Sequence, residues 1–264
     1  MEQLRLNKFL AARLGLSRRE ADDAIAAGKV TVDGKTAVLG ARIDKTSKVC
    51  YNKDIVPFET EYTYIAFNKP VGYVCSRRAQ GAAPTLYELL PPEFQKLKTV
   101  GRLDKDSSGL ILLTNDGDFA FQMTHPKFHK EKIYEVELDH PLEPLHQQMI
   151  SDYGIMLDDG PSKFTVVKQR VEPSSSTNPS GAAAPMCSAG HEDLARAARS
   201  VPEGHAGATA PHELYSVALS EGRNRQIRRT FAALGYRVTK LHRTQFGKYE
   251  LSGLKPGKYA IIKP

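Results

Sequence analysis

Residues 100–114 read Val100-Gly101-Arg102-Leu103-Asp104-Lys105-Asp106-Ser107-Ser108-Gly109-Leu110-Ile111-Leu112-Leu113-Thr114. A polar loop with two acids, and a glycine on either side, runs into a fully apolar strand. Upstream, the pattern turns to strands at Tyr62, with YTYIAFNKP and then VGYVCS alternating around a Lys69-Pro70-Val71-Gly72 turn. Further strands are predicted at 109–113, 132–138, 164–171, 214–219, 237–241 and 259–262, and helices at 86–90, 119–123, 142–151 and 225–234. The two kinds interleave without a regular βαβ repeat. The fold class is therefore α+β, with flanking helices on a mixed, largely antiparallel sheet.

As chemistry, the loop allows three readings. Asp104 and Asp106 could hold a divalent cation as a DxD pair. They could cap and solvate a turn, the commonest fate of such residues. Or one of them could be a nucleophile or general base held by a neighbouring arginine. The loop alone leaves all three open.

The first sixty residues form a separate pattern. Leu6, Phe9, Leu10 and Leu14 follow helical spacing up to Gly15. Ser17 and Glu20 then make a capping-box signature for a second helix, which carries Ala21, Ala24 and Ile25 on one face and ends at Gly28. A hairpin follows, Val30 and Val32 before an Asp33-Gly34 turn. Residues 51–61 read as a linker with one short strand. Lys8, Arg13, Arg18 and Arg19 cluster at the helix–turn–helix corner, where fixed cations and a helix N-terminus suit phosphate.

Charge supports a polyanionic partner. The chain of 264 residues has a net charge of +7, and its isoelectric point is near 9.2. Residues 1–58 hold 11 Lys/Arg against 7 acids, and residues 221–243 hold 7 against one. Between them, 172–212 draws 25 of its 41 residues from Ala, Ser, Gly and Pro and has no aromatic residue. It reads as a surface insertion, mostly disordered, with one short helix at 192–199. Cys50, Cys75 and Cys187 form no CxxC pair, which argues against a disulfide scaffold or a cysteine zinc site. No apolar run approaches the ~20 residues of a membrane span, and no secretory signal is evident, so the expected compartment is the cytoplasm.

Two resemblances sharpen this. LRLNKFLAARLGLSRREADDAIAAGKVTVDGK resembles an S4 domain, a small RNA-binding module, over most of residues 3–50. GRLDKDSSGLILLTNDGD resembles the catalytic motif of the RsuA/RluB/RluE/RluF family of ribosomal RNA pseudouridine synthases. Asn68-Lys69-Pro70, Lys132-Ile133-Tyr134 and the stretch Glu221 to Arg229 match that family's other motifs in the same order. The resemblance implies an S4 domain at 1–58 and a catalytic domain at 59–264 interrupted by the insertion 172–212. It implies conversion of one ribosomal RNA uridine to pseudouridine, without metal or other cofactor, by a monomer acting on rRNA or a ribosomal particle. GRNRQIRRTFAALGYRV points towards 23S rather than 16S rRNA.

By the same resemblance Asp104 is the essential aspartate, Tyr134 stacks on the flipped base and Arg228 pairs with Asp104. Leu241 closes the pocket floor, and Arg102 fills the helix position vacated by the flipped nucleotide. Lys132 is expected to touch substrate, Asn224 and Gln226 to read a base edge or, for Asn224, to cap the helix. Arg223, Arg225, Arg229 and Lys240 would contact phosphates. His125 and His129 lack a third metal ligand. The rival readings are a non-catalytic S4-type ribosome assembly factor and a metal-dependent nuclease using Asp104 and Asp106.

Overall fold

The computed structural model describes residues 3–59, 61–77, 81–169 and 213–264. The expected insertion at 172–212, with its short helix, lies outside them.

Near the N-terminus, helix α1 (Leu6–Arg13) packs on helix α2 (Arg18–Ala26). The capping box forms as read: Ser17 Oγ accepts from the Glu20 amide at 3.1 Å, and a Glu20 carboxylate oxygen accepts from the Ser17 amide at 2.6 Å. Strands Val30–Val32 and Lys35–Thr36 flank the Asp33-Gly34 turn, whose two positive φ angles, 50° and 80°, are those of a type I′ hairpin. A second hairpin, Val49–Tyr51 and Asp54–Ile55, extends this sheet. The first half of the expected linker is thus part of a hairpin. Its turn, Asn52-Lys53, has positive φ at both residues but no glycine to announce it. Leu6, Phe9, Leu10, Ile25, Val30 and Val49 form a core of their own.

The remainder is built on one twisted sheet. Among the described residues its strands run in the order Thr165–Lys168, Leu214–Leu219, Lys132–Leu138, Val238–Phe246, Ser108–Thr114, Tyr64–Lys69 and Tyr259–Ile261. Every neighbouring pair along that path is antiparallel except Val238–Phe246 with Ser108–Thr114, which run parallel. Helix α3 (Gly117–Thr124) follows the strand Ser108–Thr114, and helix α5 (Gln226–Ala233) precedes Val238–Phe246. Helix α4 (Pro144–Gln148) continues as a π turn, Met149–Tyr153, and the helix expected at 86–90 is a 3₁₀ turn, Leu86–Leu89.

Two expectations fail locally. VGYVCS is no strand: it contributes one isolated bridge, Val74 to Thr85, while the Gly72 amide donates to the Lys105 carbonyl at 2.8 Å. The turn is drawn onto the acidic loop instead of onto a neighbouring strand. Conversely, the strand expected at 237–241 continues to Phe246. Its polar run, His242 to Gln245, hid a central strand in which Arg243 is buried.

The two units touch through side chains. Lys98 Nζ donates to the Leu16 carbonyl at 2.6 Å and the Ala11 carbonyl at 3.5 Å, and Lys8 pairs with Asp118 at the start of α3.

Candidate active site

The loop 101–107 joins the strands Lys98–Val100 and Ser108–Thr114. Its exit is set by Gly109. At φ +105°, on the register that pairs it with Arg243, a Cβ there would collide with the Arg243 backbone. Only glycine allows the parallel strands to approach so closely where the loop ends. Leu103 plugs the loop into the core, its amide and carbonyl both meeting Cys75 Sγ at 3.3–3.4 Å.

Lys69 holds the loop from below. It is wholly buried, and its Nζ donates to the carbonyls of Ser107 at 2.6 Å, Asp104 at 3.0 Å and Pro70 at 3.1 Å. Burial pushes this ammonium below its usual range. A charged group tolerates such burial only when its donors are met, as here by three carbonyls. The sequence reading quoted Lys69 within its motif and gave it no role. A lone lysine before a proline carries no burial signal.

The two acids separate in role. Asp106 accepts both guanidinium nitrogens of Arg225, at 3.0 and 2.8 Å. Arg228 adds its Nε at 3.3 Å from the carboxylate and donates Nη2 to the Asp106 carbonyl at 2.8 Å. The Arg225 hydrogen bonds, with the Arg228 charge, hold Asp106 well below the usual carboxylate range. Asp104 is held less closely: Arg225 Nη1 stands 3.6 Å from its carboxylate, although its side chain is the less exposed of the two, 35 % against 46 % for Asp106.

This corrects one expected pair. Arg228 does not form an ion pair with Asp104; it lies against Asp106 and anchors to the Val238 carbonyl at 2.8 Å. The arginine that reaches both acids is Arg225, at the N-cap of α5 with a left-handed φ of 47°. A bulky residue there is strained, a frequent mark of functional positioning. Arg225 was expected to contact phosphate, because sequence spacing alone shows no left-handed kink.

Beside the acids opens a cleft of about 350 Å³, lined by Arg102, Asp104, Tyr134, Arg225, Leu241 and Arg243 among others. Tyr134 and Leu241 are both buried and form part of its wall, on adjacent strands. Arg102 is exposed at the cleft, and Asn224 is exposed at its rim. Asn224 does not cap α5, since Arg225 holds that position. Lys132 also lines the cleft, with Nζ on the Glu221 carbonyl at 3.2 Å and over the Phe246 ring at 5.3 Å. Burial first, then the neighbouring Arg243, push its pKa down to about 8. Arg243, unassigned by the sequence reading, is buried with Nε on the Leu110 carbonyl at 2.7 Å and its guanidinium 4.9 Å from the Phe246 ring centre.

Several expected contacts are spent inside the chain. Gln226 is buried, with its amide on Ser162 and Glu221 and its carbonyl on the Arg223 amide, so it has no edge to offer a base. Arg223 and Arg229 converge on Asp159, and Arg223 also donates to the carbonyls of Gly160 and Pro161. Asp159, between the strands Ile155–Leu157 and Gly160–Ser162, is the acid that engages both arginines. Lys240 pairs with Glu137 at 3.0 Å. On the N-terminal unit, Arg13 donates to the Phe58 carbonyl and Lys8 pairs with Asp118, whereas Arg18 and Arg19 are exposed. A helical-wheel reading counts cations on a surface and cannot see which of them a second unit covers.

Among the described residues, no three His, Cys, Asp or Glu side chains are grouped so as to hold a metal ion. No described helix is long and apolar enough to cross a membrane.

Comparison with known proteins follows the same division. Residues 63–233 match the RNA pseudouridylate synthase family, and residues 4–45 match the S4 domain. The chain is 34 % identical to ribosomal small subunit pseudouridine synthase A of Pasteurella multocida, across 98 % of this chain and 96 % of that protein. It is 32 % identical to ribosomal large subunit pseudouridine synthase B of Pseudomonas aeruginosa, across 97 % of this chain and 58 % of that protein. A crystal structure of a pseudouridylate synthase superposes with a TM-score of 0.60 at 28 % identity, covering 98 % of this chain and 96 % of the other.

Proposed function

Because this chain belongs to the RNA pseudouridylate synthase family and carries an S4 domain ahead of it, we propose that it isomerises one uridine of ribosomal RNA to pseudouridine, with Asp104 as the reacting carboxylate. The observation that carries this reading is the contrast between the two acids. Asp106 is locked by Arg225 and Arg228, while Asp104 lines the cleft with the same guanidinium 3.6 Å from its carboxylate. Arginine's rigid fork can aim such an acid, which an ammonium on a flexible stem does less well.

The uridine must leave its stack before its glycosidic bond can be reached, at a cost of a few kcal/mol. Arg102, exposed at the cleft mouth, fills the gap left behind. Tyr134 offers a flat face to the extruded uracil, and Leu241 closes the other side of the slot. Lys132 supplies charge for the nucleotide's oxygens. Asp104 then adds to the ring or ribose, or removes a ribose proton, as the glycosidic C1′–N1 bond breaks; uracil turns and rejoins C1′ through C5, the C5 proton leaves to solvent, N1 takes up a proton, and Asp104 returns to the free carboxylate. Arg228 acts through Asp106, shaping the loop that presents Asp104. Residues 1–58 hold the RNA through Arg18 and Arg19, and residues 59–264 carry out the reaction. The separate core of the N-terminal unit supports that division.

The relatives named above are pseudouridine synthases of the ribosomal small and large subunits. We assign 23S rRNA on the look of the 222–238 stretch, with 16S rRNA as the competing substrate on the strength of the Pasteurella relative. We place the protein in the cytoplasm as a monomer. Tritium release from rRNA labelled at uridine C5 tests the whole reading. Wild-type protein should release tritium from 23S rRNA, free or in a ribosomal particle, in the presence of EDTA, and Asp104→Asn should not. Silence of the wild type on both rRNAs and on both ribosomal subunits would leave the RNA-binding assembly factor. Loss of release with EDTA on prefolded RNA would favour a metal-dependent reaction.

A further inference from the structure

The C-terminal end of α3 leads into an exposed aromatic ridge that none of the steps above uses. Phe121 is 46 % exposed and Phe128 36 % exposed, although Met123 between them is buried in the core. Phe121 meets His125 at 4.7 Å between ring centres and Phe128 edge-on at 5.8 Å. Lys127 sets its ammonium over both phenylalanine rings, 5.2 and 4.7 Å from their centres. Three rings and a cation thus share one solvent-facing patch.

The patch is continuous with the cleft. Thr124 and Pro126, which separate its members in sequence, line the cleft together with Arg102 and Asp104. Gly101, the first residue of the acidic loop, lies against Thr124 so closely that a Cβ there would stand 3.6 Å from the threonine methyl. The ridge therefore begins where Arg102 begins. Residues 125–130 carry two lysines and two histidines and no acid, and the carboxylate at the other end of α3, Asp118, is neutralised by Lys8.

Exposed apolar area of this kind marks a binding surface, and its chemistry favours RNA. Extruding one uridine strips its neighbours of a stacking partner. A π-face beside the insertion point replaces that partner, and a cation over the same rings faces the phosphates that accompany each base. We propose that Phe121, His125 and Phe128, with Lys127, form a stacking platform for an unpaired RNA base flanking the target uridine. This rests on the proposed function for its RNA partner, but its test needs no turnover.

The probe is an RNA hairpin with a uridine-containing loop that carries 2-aminopurine in the loop, compared with a fully paired duplex of the same length. Binding by the whole protein is followed by anisotropy and by 2-aminopurine fluorescence. For one stacked base, the double variant Phe121→Ala/Phe128→Ala should lose about 5- to 150-fold in affinity for the hairpin. Duplex affinity should hold, and the fluorescence change seen with wild type should vanish. Both substitutions are on the surface, so thermal melting checks that the fold persists; Phe121→Ala/Phe128→Tyr, which keeps a π-face at position 128, should retain a hairpin preference that Phe121→Ala/Phe128→Ala loses. Equal hairpin binding by wild type and double variant would overturn the platform. So would equal losses on hairpin and duplex, or a defect confined to ribosomal particles, which would point to a protein partner. If wild type binds the hairpin with the fluorescence change but releases no tritium from any rRNA, the platform stands and the catalytic reading falls.

Discussion

Arg225 grips Asp106 through both carboxylate oxygens, at 3.0 and 2.8 Å, and stops 3.6 Å short of Asp104 with the same guanidinium. One arginine thereby fixes the acid that shapes the loop and polarises the acid that faces the cleft. Both ion pairs are about half-exposed, so their worth lies in geometry more than in stability.

Asp104→Asn keeps the size and the loop and removes the reacting carboxylate. Tritium release should fall by at least about a hundredfold, as for loss of a principal proton-transfer group or nucleophile. RNA affinity should stay within a few fold. Single-turnover release and filter binding, measured on the same preparation, check both halves.

Arg228→Lys loses the fork that joins the Asp106 carbonyl to the Val238 carbonyl. With Asp104 untouched, the expected result is a lower kcat with a nearly unchanged KM. Asp106→Asn should lower kcat in the same way, and the double variant should be no worse than the poorer single, because both act on one loop. Additive losses in the cycle would separate the two residues.

Lys132 titrates within reach of experiment. Its pKa is pushed down to about 8 by burial and Arg243, so it is a cation below pH 8 and loses its charge as pH rises through that value. RNA affinity should therefore weaken above pH 8, Lys132→Arg should carry the affinity to higher pH, and Lys132→Met should remove that limb of the profile. The sign for folding is opposite. A lysine whose pKa is lowered in the folded state destabilises the fold fully below pH 8, and this penalty fades between pH 8 and the ordinary value of 10.5. Thermal melts across that window, wild type against Lys132→Met, check it.

Lys69→Met strands three carbonyls, those of Pro70, Asp104 and Ser107, beneath the catalytic loop. Unsatisfied buried acceptors are costly, so a loss of about 2–4 kcal/mol in stability is expected, with activity lost even where the protein remains folded. Urea unfolding gives the first quantity, and tritium release well below the melting temperature gives the second.

Much of the fold was legible from local pattern. The capping box at Ser17 and Glu20, the Asp33-Gly34 hairpin and the apolar 109–113 run are short-range signals, and each stands in the structure. Asp104, Tyr134 and Leu241 were picked out by the family resemblance, not by local pattern, and the tertiary structure brings them to one cleft. What pattern could not assign is partnership. Whether an arginine is free for RNA depends on which distant carboxylate folds against it: Asp159 claims Arg223 and Arg229, Asp106 claims Arg225, and the Phe58 carbonyl claims Arg13. These partners lie from 45 to 119 residues away in the chain. Burial of Lys69 and Arg243 is equally invisible to composition, because a charge enters a core only where the packed sheet supplies carbonyls or ring faces to receive it. The sequence by itself determined the two units, the order of their elements and the residue types at the cleft. Only the tertiary structure decided which acid is gripped by two arginines and which lines the cleft, because that choice rests on long-range hydrogen bonds that exist once the parallel strands at Gly109 and Arg243 have closed.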